Sequence, residues 1–117
     1  MKQPNPYDYL RVDRSGVDEP VDATSAWTIT ESREETVTIT NAVLPDGSWV
    51  YGYNVYLANG KSSVRQPSAG RGCFRSQRDA KLHAVGFMKN NLSFFIPETQ
   101  NAIRRAESSL LQAQLFG

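Results

Sequence analysis

Two side chains have the chemistry of a nucleophile and its base: Cys73 and His83, the only cysteine and the only histidine among 117 residues. A thiol becomes reactive when a neighbouring base takes its proton. Local context argues against that role here. Cys73 adjoins Phe74 just ahead of a helical stretch, where a lone cysteine serves as a small buried hydrophobe. His83 lies well inside that helix and would have to point back toward its start. A zinc site needs about four ligands, usually Cys and His, which one of each cannot supply. Gly60-Lys61-Ser62 imitates the end of a phosphate-binding loop, but Val55 stands where that motif needs a second glycine. Gly70-Arg71-Gly72 is too short for a dinucleotide fingerprint. Glu34-Glu35 and Asp18-Glu19 sit in polar stretches, where carboxylates are read as solvated. The expectation is a non-enzymatic chain without cofactor or metal.

Binding chemistry is better represented. The net charge of +1 hides an uneven distribution. Residues 1–35 carry four basic side chains against eight acidic ones, whereas residues 61–89 carry seven basic side chains against the single Asp79. Within the basic stretch, Lys61 and Arg65 fall on an expected edge strand, Arg71 and Arg75 in a loop, and Arg78 and Lys81 on the first turns of a helix. Cations there oppose the helix dipole, a cost that a bound anion relieves. These six, with Tyr56 for stacking, form the candidate nucleic-acid interface. Two other readings stay open: a solvated basic surface, and pairing with the acidic amino-terminal segment.

The elements that must position these groups follow from periodicity. Residues 1–24 hold Pro4, Pro6, Gly16 and Pro20 with no sustained apolar period, so they read as an irregular arm that Tyr7, Tyr9 and Leu10 pin to a single domain over 25–117. Ala26 to Thr30 and Thr36 to Leu44 alternate with β-branched residues and predict two strands. After a Pro45-Asp46-Gly47-Ser48 turn, Trp49, Tyr51, Tyr53, Val55 and Leu57 occupy every second position, placing five large apolar side chains on one face of a strand. Core packing is the expected use of that face, leaving Tyr56 and Val50 on the other for exposed contact. Gly52 marks a bulge or a close approach by another backbone. Asn59-Gly60 predicts a type I′ hairpin into a fourth strand, Lys61 to Gln66, ended by Pro67.

Ser76 and Asp79 have the spacing of a helix start. Ala80, Ala84, Phe87, Met88, Asn91 and Phe95 then recur at helical intervals, with Leu82, Val85 and Leu92 widening the stripe. Pro97 opens a second helix whose buried face is Thr99, Ile103, Ala106, Leu110 and Ala113, flanked by Leu111 and Leu115. The fold class expected is α+β: a four-stranded antiparallel meander, then two carboxy-terminal helices packed on one sheet face.

Apolar runs fall short of the roughly 18 to 20 residues that cross a bilayer, and MKQPNPYDYL lacks the apolar core of a secretory signal. A cytoplasmic location is expected, and Asn91-Leu92-Ser93 then has no role as a glycosylation acceptor. Asp46 to Tyr53, followed by Gln66-Pro67-Ser68, Phe74-Arg75-Ser76, an Ala80 to Ala84 helix and the ending Gln114-Leu115-Phe116, resembles a small domain of unknown function in partition-related and accessory proteins of bacterial plasmids, phages and conjugative elements. The resemblance spans about half the chain and implies a mobile-element context, with no site residues carried over. In topology, strands followed by a helix are similar to single-stranded-DNA-binding folds of the Whirly and transcriptional-coactivator type. The functional expectation is an accessory domain binding single-stranded DNA or RNA. Its alternative is a protein-interaction or homodimerisation module of a bacterial mobile element.

Overall fold

A computed structural model describes residues 4–12 and 19–116. Residues 1–3 and 13–18 of the expected arm, and the side chains of Ala113 and Leu115, lie outside the described residues. A 3₁₀ turn, Asp8–Leu10, leads into β1 (Arg11–Val12). The meander follows as β2 (Ser25–Glu31), β3 (Thr36–Val43), β4 (Trp49–Tyr56) and β5 (Ser62–Ser68). A second 3₁₀ turn, Ala69–Arg71, leads to β6 (Cys73–Phe74), and then α1 (Gln77–Lys89) and α2 (Pro97–Phe116) pack on one face of the sheet. The fold is α+β with an antiparallel sheet, as the periodicity indicates. Two strands of two residues each, β1 and β6, extend the expected four.

β3 and β4 pair without interruption from Thr36↔Tyr56 to Val43↔Trp49. Odd-numbered residues of β4 therefore share the helix-facing side. Tyr51 and Val55 are buried there, and Trp49, Tyr53 and Leu57 pack against the same core with Ile39, Phe74, Ala84, Met88 and Ile103. The opposite side is not uniformly open. Val50, expected to be available for contact, is 0 % exposed, because Ala42, Cys73, Val12, Val21, Leu44 and Ala69 gather over it as a second small core. Val21 belongs to the stretch leading into β2, and its N–H donates to the Pro67 carbonyl at 2.9 Å.

Both hairpin turns close around glycine. The Leu57 N–H reaches the Lys61 carbonyl at 2.8 Å, and the Gly60 N–H reaches Leu57 at 3.0 Å. Within this second turn Gly60 alone has positive φ, at 87°. The turn is thus a three-residue loop, Ala58 to Gly60, rather than the expected type I′ pair. Asn59 keeps ordinary φ because its carboxamide oxygen accepts the Lys61 N–H at 2.9 Å.

β5 does not stop at Pro67. The register shifts from Tyr53↔Arg65 to Tyr51↔Ser68, so Gln66 and Pro67 together stand opposite Gly52. A bulge on an edge strand tolerates proline, which gives the ladder no N–H.

Ser76 caps α1 as its spacing predicts, accepting the Asp79 N–H at 3.1 Å. The helix ends at Lys89 instead of running on through Asn91. Tight bonds take over, Asn91 N–H to Met88 at 3.0 Å, and the Asn91 carboxamide covers the Phe87 carbonyl at 2.8 Å. An asparagine that satisfies the last carbonyls stops a helix more readily than it extends one. α2 begins at Pro97 as expected, burying Thr99, Ala102, Ile103 and Ala106, with Leu110 half-buried and Leu111 exposed.

A Cβ on Gly52 would run into the Arg65 carbonyl and lie 2.6 Å from both the Gln66 carbonyl carbon and the Pro67 nitrogen. Backbone cannot rotate aside as a side chain can. Gly52→Ala should lower unfolding free energy by about 3 kcal/mol in urea titrations.

Candidate functional site

The seven residues expected at a nucleic-acid interface do not form one surface. Arg71 points inward: its Nε donates to the Tyr51 carbonyl at 3.0 Å, a terminal nitrogen donates to the Gln66 carbonyl, and its guanidinium lies 6.0 and 5.8 Å from the Tyr51 and Tyr53 rings. Arg78 donates to the Leu110 carbonyl of α2 at 3.3 Å and meets Asp79 at 3.4 Å. The Lys81 ammonium stands 5.1 Å from the Trp27 ring. Such contacts use charge and donors that a phosphate would otherwise take. Arg75 is exposed beside a hollow it shares with Tyr9, Arg11 and Asp79. Lys61 and Arg65 are exposed on the β4–β5 hairpin. Tyr56 is 50 % exposed on the same hairpin, yet strand alternation turns it to the face opposite Arg65.

What the hairpin and the end of α1 do build is an apolar recess of about 170 Å³. One wall is Tyr53, Val55 and Leu57 of the hairpin with Ser63 of β5, and the other is Phe87 and Met88 of α1 with Phe94 and Phe95. It exists because α1 stops at Lys89 and the chain turns through a 3₁₀ segment, Leu92–Phe94, before α2. Phe94 remains 65 % exposed at the rim. Phe87, expected in the buried stripe, is 38 % exposed and stacks on Tyr53 with ring centroids 5.4 Å apart.

Glu35 holds both walls. Instead of being solvated, it is 2 % exposed. One carboxylate oxygen accepts the Ala58 N–H at 3.1 Å, next to Leu57, and the other accepts the Ile96 N–H at 3.0 Å, next to Phe95. Charge-assisted bonds to backbone from one buried carboxylate make a stiff cross-link. Phe94-Phe95 carried a sequence signal for the recess: after a helix ends, adjacent bulky residues diverge, and one is left facing out.

His83 is occupied elsewhere. Its Nε2 lies 2.7 Å from an Asp8 carboxylate oxygen and its Nδ1 2.9 Å from the Tyr51 hydroxyl. The carboxylate only accepts, so Nε2–H donates to Asp8 and Tyr51 O–H donates to Nδ1. Neither nitrogen serves Cys73, which is buried. The Asn5 carboxamide adds a bond to the His83 carbonyl at 2.8 Å, and the Tyr7 hydroxyl donates to Glu107 at 2.6 Å, where Lys89 also pairs at 3.1 Å. Burial, then the Glu107 hydrogen bond and charge, push the Tyr7 phenol up. Burial likewise raises the Tyr51 phenol. Residues 5–12 are thus fastened along α1, α2 and β6. Among the described residues no helix is long and apolar enough to cross a membrane, and no three metal-capable side chains gather.

Burial holds His83 below its usual value of 6.5, with the Asp8 hydrogen bond and charge opposing that shift. Its proton therefore binds better in the unfolded chain. The stabilisation from neutral His83 is complete above about pH 6.5 and is lost as pH falls through the lower folded value. Urea midpoints should drop from about pH 7.5 to about pH 5.5, and His83→Phe should flatten most of that slope, since no other histidine titrates there. No family model, curated protein or solved structure matches the chain.

Proposed function

We propose that this chain is a protein-interaction module that seats a segment of another polypeptide in the recess between the β4–β5 hairpin and the end of α1. One observation carries the reading: Phe94 and Phe87 stand exposed around an apolar hollow whose two walls Glu35 ties together. Exposed aromatic side chains cost solvation, and a pre-formed concave site lowers the ordering entropy of whatever binds there. The hollow suits a single apolar side chain better than a cofactor with charged groups, because its lining is almost wholly hydrocarbon.

The nucleic-acid reading keeps Tyr56, Lys61 and Arg65 as its exposed residues on the hairpin. It draws less support, since stacking on Tyr56 and phosphate pairing at Arg65 occur on opposite faces of the sheet, and Arg71, Arg78 and Lys81 have internal partners.

The chain, immobilised at its amino terminus, is panned against a displayed library of random peptides of about 12 residues. Enriched peptides should bind the parent and lose at least about tenfold in affinity with Phe94→Ser, a change at an exposed position that leaves the unfolding midpoint nearly unmoved. Failure to enrich, or equal binding by Phe94→Ser, would overturn the reading. A labelled oligothymidylate that binds at low salt and is released by Lys61→Glu with Arg65→Glu would favour nucleic acid instead.

A further inference from the structure

β5 is an edge strand whose only neighbour among the described residues is β4 along Ser62–Arg65. The Leu57–Lys61 bond fixes the alternation of the ladder: Lys61, Ser63 and Arg65 direct their backbone groups toward β4, while Ser62 and Val64 direct theirs outward. Farther along, the edge is closed. The Gln66 carbonyl is held by Arg71 and the Pro67 carbonyl by Val21. The open stretch is therefore Ser62 to Val64, directly beside the recess that Ser63 helps to line.

Side chains add a second pattern. Lys61, Ser63 and Arg65 share the helix-facing side by strand alternation, so two exposed cations bracket the recess. Val64 and Tyr56, 47 % and 50 % exposed, lie on the other side. The Arg65 guanidinium rests on the Val64 carbonyl at 3.1 Å, a local bond that an incoming strand would replace. Antiparallel pairing of two copies of β5 would set Lys61 and Arg65 of one against those of the other, and like charges across a strand pair repel. The bracket of cations fits an acidic partner instead.

We infer that β5 takes up an extended segment of another protein as an added strand, with one apolar side chain in the recess and an acidic residue two positions to either side facing Lys61 and Arg65. This rests on the reading of the recess as a protein-binding site. Main-chain bonds to Ser62 and Val64 hold the segment, and alternation provides its selectivity. On the far face the intervening residues meet Val64 and Tyr56, so β-branched side chains suit them.

The test uses the full chain and a blocked peptide, Glu-Val-Phe-Val-Glu, with Lys-Val-Phe-Val-Lys as the charge-reversed control. The acidic peptide should bind with at least about tenfold preference over the basic one, slow amide exchange at Ser62 and Val64, and shift the Phe87 and Phe94 ring resonances. Lys61→Glu with Arg65→Glu should reverse the preference. Val64→Pro removes an outward N–H at an exposed edge position and should abolish binding. Should that variant fold poorly, N-methylated peptides give the same answer on the parent chain: methylation of both Val residues blocks an antiparallel strand, and methylation of Phe blocks a parallel one. Binding lost with Phe94→Ser but indifferent to Val64→Pro and to every methylation overturns strand addition while leaving the recess as a protein site. A mass that rises with concentration and returns to monomer in Val64→Pro assigns the edge to a second copy and overturns the acidic partner. If neither this peptide nor any library peptide binds, both readings fall together.

Discussion

A strand within a sheet has two edges, and β4 gives one of them to β3 along its whole length. The other is divided. Trp49 pairs with Phe74 of β6, and Tyr51 to Tyr56 pair with β5. Two strands can share that edge because β5 folds sharply over Gly52, whose missing side chain leaves room for the Arg65 to Pro67 backbone. The bulge lifts β5 away from β4 at Gly52, the short Ala69–Arg71 turn carries the chain onward in the same direction, and β6 enters beside Trp49 in time to deliver Ser76 and α1 onto the core face. Arg71 sits at the centre of this manoeuvre, joining the Tyr51 and Gln66 carbonyls. Its positive charge is structural mortar.

The hairpin of β4 and β5 gains its character from the same division. Released from β6, it projects toward the end of α1, where the helix stops one step too early to cover it. Glu35 prevents collapse into that gap by holding the turn and the start of α2 from a single buried carboxylate. An unpaired buried charge would be costly, so the two backbone donors and the acid depend on one another. Preorganisation is thus a by-product of how the core is closed.

Much of the scaffold was legible in the chain. The five alternating residues from Trp49 to Leu57, the Ser76 cap and the Pro97 start are local patterns, and local patterns survive in a sequence. β1 and β6 were not, because two residues carry no period; their pairing is a matter of distant partners. Nor does a string of cations disclose which ones a carbonyl or an indole has already claimed. Arg71, Arg78 and Lys81 read as a patch with Lys61 and Arg65 until the helices and the sheet set them apart. Glu35 deceived in the opposite direction: polar neighbours suggested solvent, whereas its position beneath two chain reversals decides its burial. Val50 shows the same limit, since alternation names a face and says nothing of what crosses it.

The fastening of residues 5–12 bears on how the chain is made. Tyr7 waits for Glu107, and Asp8 and Asn5 wait for His83, separations of 75 to 100 residues along the chain. During synthesis residues 5–12 precede their partners, and the Tyr7 bond has to wait for α2 to supply Glu107. The meander and α1 can assemble earlier, with their core facing an unfinished side. The Tyr7–Glu107 bond then fastens residues 5–12 across a face that only α2 completes.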